Sequence, residues 1–173
     1  MKNKKGFTLL ELLIAATIIG AMAVFATISY RSSEADARIA AAKAKTEVLA
    51  GAVQRFRLEF PYAALGNSVI TNTTATCPDS MPYTQSLSAT TLISCGLLDN
   101  GGWTNDFVEF TICGIPSNGG ICAALTGSTG ACMTGKSSNS RVPDRYRWSS
   151  TIGNSYWYCV KSTGEPGTEH FRS

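Results

Sequence analysis

Glu11 is the first residue that needs a chemical explanation. It is the single carboxylate in an apolar run from Phe7 to Tyr30, and no residue from Leu12 to Tyr30 is charged. A carboxylate inside a hydrophobic membrane helix costs about 2.5–3.5 kcal/mol near its centre and less near its end. Immediately ahead stands a short, lysine-rich leader that ends Lys4-Lys5-Gly6. The apolar run is about the length an α-helix needs to cross a hydrocarbon core of roughly 30 Å. Its charge therefore calls for a partner.

The other groups with chemical potential lie further along. Cys77, Cys95, Cys113, Cys122, Cys132 and Cys159 all follow the apolar run. An even number, confined to the part that would be exported, points to disulfides formed in an oxidising compartment. Zinc sites favour closely spaced ligand pairs, whereas no C-x-x-C occurs here, and the one histidine, His170, stands near the chain end. No metal or other cofactor is expected. A catalytic triad needs a histidine held by partners, and a lone His170 in a polar tail does not supply one. Arg141, Arg145 and Arg147 with Tyr146 and Trp148 form the one aromatic–basic cluster, a combination that can hold single-stranded nucleic acid. The simpler reading is an amphipathic strand with rings inward and arginines outward. Gly130-Ala131-Cys132-Met133-Thr134-Gly135-Lys136-Ser137 matches the phosphate-loop pattern formally, but a buried strand before it and a helix after it are not expected. The net charge of +3 rests on Lys2, Lys4 and Lys5; without them twelve basic residues face twelve acidic ones, leaving no global field for nucleic acid.

Three readings of the opening stretch compete. A secretory signal ends at small residues of A-x-A type, which Ala21-Met22-Ala23 and Ala35-Asp36-Ala37 supply. A plain anchor needs only the length. Neither gives Glu11 a purpose. The third reading does: Gly6-Phe7-Thr8-Leu9-Leu10-Glu11, behind a basic leader and ahead of an apolar helix, resembles the processing site of type IV pilins and the pseudopilins of type II secretion systems. The resemblance covers residues 1 to about 30. It implies cleavage after Gly6 by a prepilin peptidase that also N-methylates Phe7, storage in the inner membrane with a periplasmic head, and delivery by an inner-membrane assembly platform into a pilus or pseudopilus. The partners are then further copies of the same or related subunits. The α-amine freed at Phe7 can pair with Glu11 of a neighbouring copy, and buried charges that must be paired favour one axial register. Many major pilins carry proline where this chain has Ile28, and no proline stands between Phe7 and Tyr30. That absence leans toward a minor subunit or pseudopilin. A membrane-anchored enzyme or ligand-binding domain with a similar N-terminus is the reading from another class.

The elements that must position these residues follow in order. Residues 1–6 read as leader, 7–30 as membrane or filament-core helix, and 31–173 as exported head. After Tyr30 the sequence becomes alanine-rich and stays helical. Ile39, Ala42, Val48, Leu49, Ala52, Val53, Phe56 and Phe60 form an apolar stripe, and Phe60-Pro61 ends the helix. Arg38, Lys43, Lys45, Arg55 and Arg57 are expected on a solvated face. Ser88 to Leu98 reads as a short helix with Ser88 as cap and Leu92, Ile93 and Leu97 inward, ending near Cys95 because Gly96 is awkward in a helix interior. Phe107–Cys113 alternates, with Val108, Phe110 and Ile112 on one face. Ile121–Leu125, Arg145–Trp148 and Tyr156–Val160 complete a set of strands; Gly127–Arg141 reads as a loop and Gly164–Ser173 as a polar tail.

The sum is an α+β fold: one long helix, apolar then amphipathic, on a C-terminal antiparallel sheet of three or four strands, in agreement with what the pilin resemblance implies. Six cysteines allow 15 connectivities. Proximity in sequence favours Cys77–Cys95, Cys113–Cys122 and Cys132–Cys159, the last resembling the C-terminal disulfide loop of many pilins.

Overall fold

The computed structural model describes residues 7–59, 68–69, 89–113, 129–136, 142–147 and 156–170. Helix α1 runs Leu9–Glu59 without a break. It is followed by β1 (Ser68–Val69), α2 (Ala89–Ser94), β2 (Val108–Cys113), β3 (Gly130–Gly135), β4 (Trp157–Lys161) and β5 (Thr168–His170), with a 3₁₀ turn at Asp144–Tyr146 before β4. Contacts divide the chain into two units, Met1–Ala37 and Arg38–Ser173.

Within the second unit α1 buries Ile39, Ala42, Thr46, Leu49, Val53 and Phe56. The spacing alternates three and four, so the buried residues form one seam along the helix. Thr46 is tolerated there because its hydroxyl donates to the Ala42 carbonyl at 2.9 Å. Val48 departs from the expected stripe: it is 61% exposed, on a face it shares with Lys45 and Arg55. The helix is described to Glu59, directly before Phe60-Pro61, which lies outside the described residues.

The sheet is an antiparallel meander in which every strand pairs with its sequence neighbour, β2–β5 being extended at one edge by the two-residue β1. Register puts Phe110, Met133, Tyr158 and Glu169 in one row across four strands, on the face toward α1. Val108, Phe110, Ile112, Ala131 and Met133 are fully buried. Two hydrogen-bonded contacts tie helix to sheet across that face. The Tyr158 hydroxyl donates to Glu47 Oε1 at 2.9 Å, and Lys43 pairs with Glu169 at 2.5 Å while the Tyr156 hydroxyl donates to the same carboxylate at 3.0 Å.

Three basic residues of α1 therefore do more than face solvent. Arg38 lies 4.6 Å from the Phe107 ring centre, Lys45 5.5 Å from Trp103, and Lys43 within 6 Å of both Tyr156 and Tyr158. Each places a cation on a ring face, worth roughly 0.5–1 kcal/mol where exposed. Arg55 stays exposed as expected.

Three segments differ from the sequence reading. Residues 130–135 form β3, buried along its whole length, where a loop was expected. Glycine, alanine and cysteine carry no strand signal, and the strand exists because β2 and β4 pair with it on both sides. Asp144–Tyr146 is a 3₁₀ turn, so the described part of the 145–148 alternation does not make a strand; Tyr146 instead packs edge-on against Tyr156 at 4.8 Å. Within the polar tail, Thr168–His170 adds β5 to the edge of β4. The expected strand Ile121–Leu125 lies outside the described residues.

Helix α2 buries Leu92 and Ile93, and in the segment after it Leu98 is buried while Leu97 is half-buried. Ser88, the expected cap, lies outside the described residues. The end of α2 follows from Gly96, at φ +69°, where the Gly96 and Leu97 amides donate back to Ile93 and Leu92. That is the left-handed Schellman closure glycine favours.

Candidate processing and assembly site

The N-terminal site is built on the first turn of α1. Thr8 caps it. The Glu11 amide donates to the Thr8 hydroxyl at 3.3 Å, and both the Thr8 amide and its hydroxyl donate to Glu11 Oε2 at 2.9 Å. This reciprocal arrangement is a capping box: a Thr at the cap and a Glu three residues on satisfy each other's backbone donors. The spacing Thr8-x-x-Glu11 was open to reading in the sequence, and Thr8 is the residue of this candidate site that the sequence reading left out. The box gives Glu11 a local role that does not require any partner. It also fixes where the carboxylate sits: Oε2 is occupied by Thr8, and Oε1 has no partner among the described residues.

Phe7 stands just before the helix and is 87% exposed. Gly6 and the leader lie outside the described residues. Behind Glu11 the helix presents Leu9, Leu10, Leu12, Leu13, Ile14, Ile18 and Ile19, then Met22, Val24, Phe25, Ile28 and Tyr30, all at least half exposed or nearly so. Among the described residues this helix is long and apolar enough to cross a membrane, and none of its apolar window is buried within the chain. Polar side chains inside it satisfy themselves: Thr17 donates to the Ile14 carbonyl and Thr27 to that of Val24, each at 2.8 Å. Glu11 is the one charged residue in this segment.

The other candidate groups are placed as follows. Cys132 and Cys159 stand directly opposite one another on β3 and β4 and are joined by a disulfide. Cys95 and Cys113 are also disulfide-bonded. Cys77 and Cys122 lie outside the described residues, and with them the pairings Cys77–Cys95 and Cys113–Cys122. Cys113, Cys132 and Cys159, with Trp157 against them, form a small core on the sheet face away from α1. The phosphate-loop pattern falls on β3, whose backbone amides belong to the sheet ladder and are not available to a phosphate. Of the aromatic–basic cluster, Arg141 and Trp148 lie outside the described residues. Arg145 lies over Tyr146 at 4.7 Å, and Arg147 donates to the Val142 carbonyl at 2.8 Å. His170 is in β5 opposite Trp157. No group of three or more His, Cys, Asp or Glu residues able to hold a metal occurs among the described residues.

Searches of curated proteins and of solved structures found no match to this chain. A family model for the prokaryotic N-terminal methylation motif matches residues 1–27. That span contains the Gly6–Phe7 junction, the Thr8–Glu11 cap and most of the exposed apolar helix. The chain therefore carries at its N-terminus the prepilin-type signature of type IV pilins and pseudopilins.

Proposed function

We propose that this chain is a structural subunit, not an enzyme, of a type IV pilus-like filament. The observation that carries the proposal is the methylation motif at residues 1–27, a span that contains Gly6, Phe7 and Glu11. Residues 1–6 are the leader. A prepilin peptidase cuts after Gly6 and methylates the amine of Phe7. Residues 7–30 hold the subunit in the inner membrane with the head, 31–173, in the periplasm. An assembly platform then draws the helix into the filament, whose core it forms.

In this reading Glu11 has two tasks at once. Oε2 caps its own helix through Thr8, and Oε1 is left to receive the methylated amine of the adjoining copy. Desolvation of both groups in the filament core makes an unpaired register costly, which sets the axial rise. The oxidising compartment implied by the disulfides agrees with a head outside the cytoplasm.

Mass spectrometry of the mature protein tests this. An N-methylated Phe7 is expected as first residue. An intact Met1, or a cut near Ala23 or Ala37, overturns it. One observation leans toward a minor pilin or, as second reading, the pseudopilin of a type II secretion system: α1 has no proline and no break between Leu9 and Tyr30. Recovery of the subunit in sheared surface filaments selects the pilus, and its retention in the periplasm selects the pseudopilus.

A further inference from the structure

In the second unit α1 has two flanks beside its buried seam, and each borders a cleft. Residues 45, 48 and 55 share one flank; 47, 50, 51 and 54 share the other, with the seam 42, 46, 49, 53 and 56 between them. The two clefts therefore lie on opposite sides of the same helix.

The first cleft, about 380 Å³, runs between α1 and the segment after α2. Lys45 and Arg55 stand at its helix side, with Val48 between them and Leu97 and Trp103 across from it. Lys45 donates to the Gly102 carbonyl at 2.8 Å and faces the Trp103 ring, both neutral partners, so its charge is undiminished. Arg55 is exposed and has no ion pair among the described residues. Asp99 is the one carboxylate residue lining it, and the cleft is net cationic.

The second cleft, about 340 Å³, lies between α1 and the β4–β5 connection. Glu47, Gln54, Lys161, Glu165 and Pro166 line it. Lys161 pairs with Glu165 at 2.5 Å, which leaves two carboxylates, Glu47 and Glu165, against one cation in the lining. Glu47 accepts only from the neutral Tyr158 hydroxyl and keeps its charge. This cleft is net anionic.

Opposite signs on two different surfaces of one chain are complementary between copies and repulsive within like surfaces. A contact between two different patches is heterologous, and where its rotation does not close it propagates into an open helix. An apolar centre inside a charged rim is the usual build of such a contact, and Val48, exposed between Lys45 and Arg55, supplies that centre. We propose that these clefts are the two halves of a head–head contact between copies of this chain, the Lys45–Arg55 cleft of one receiving the Glu47–Glu165 rim of the next. The proposal rests on the filament reading and adds which head surfaces meet.

Charge reversal in the full-length chain tests it, with sheared filament and membrane-held, N-methylated subunit measured together. Arg55→Glu and Glu165→Arg should each lower filament yield about tenfold while leaving the membrane pool and its non-reducing mobility unchanged, and Arg55→Gln should lose less. The double variant Arg55→Glu/Glu165→Arg should return to within about twofold of the parent, because every contact then pairs reversed charges. Normal assembly of both single variants overturns the contact. So does a double variant no better than the singles, the result expected if another acidic partner occupies the cationic cleft. Failure of the filament reading itself looks different: the parent chain then lacks N-methyl-Phe7 and yields no filament, surface or periplasmic.

Discussion

At the scale of single residues, Glu11 carries two separable effects, capping and charge. A capping box accepts Gln as well as Glu at its third position. Glu11→Gln therefore keeps the cap and removes the charge, while Glu11→Ala removes both. Both variants should insert and be processed, and both should enter filaments poorly. Filament incorporation of Glu11→Gln at the parental level would reduce Glu11 to a helix cap and overturn the register role proposed for it. Gly135 makes a second residue-scale case. A Cβ at this position would overlap the Tyr146 carbonyl, which the 3₁₀ turn lays against β3. Gly135→Ala should therefore lower stability by about 1–3 kcal/mol, as overpacking does, read as a fall in the urea midpoint of the detergent-solubilised chain.

At the scale of elements, the helix–sheet contact depends on two tyrosines that must stay protonated. Burial, then the Glu47 carboxylate, pushes the Tyr158 phenol from 10.0 up to about 12. Burial and Glu169 push Tyr156 further in the same direction. Both folded values lie above those of the unfolded chain. Their contribution is thus complete below about pH 10 and is lost as pH rises through the folded values. The urea midpoint should fall steeply from pH 10 toward 12, and Tyr158→Phe should make that fall shallower. An unchanged slope in the variant would show that Tyr158 ionises as freely in the fold as outside it. Strand β3 shows the limit of local reading. Its sequence, Gly-Ala-Cys-Met-Thr-Gly, has no strand preference, and its place is given by the neighbours on either side. Strand β2, in contrast, was legible because period-two alternation and β-branched or aromatic residues coincide at Val108, Phe110 and Ile112.

At the scale of the whole molecule, the Cys132–Cys159 disulfide closes the central strand pair over a separation of 27 residues. A loop of that length restricts the unfolded chain by about 3–4 kcal/mol in the chain-entropy account. Cys132→Ser/Cys159→Ser should lower the head's unfolding free energy by an amount of that order, with N-terminal processing untouched; coupled loss of processing would contradict the division between motif and head. That division also separates what could be read from what could not. The sequence alone determined the N-terminal methylation motif, the apolar helix, its amphipathic continuation and the α+β order of elements. Each of these is a matter of spacing along one helix or strand, where residue type and period act within a few residues of each other. The Thr8–Glu11 box belongs with them, being equally local. Only the tertiary structure decided that 130–135 is the central strand, that 168–170 closes the sheet edge, and that Lys43, Glu47 and Glu169 join helix to sheet. Those outcomes rest on pairings between residues up to 126 positions apart, whose partners supply the hydrogen bonds and burial that the local sequence lacks.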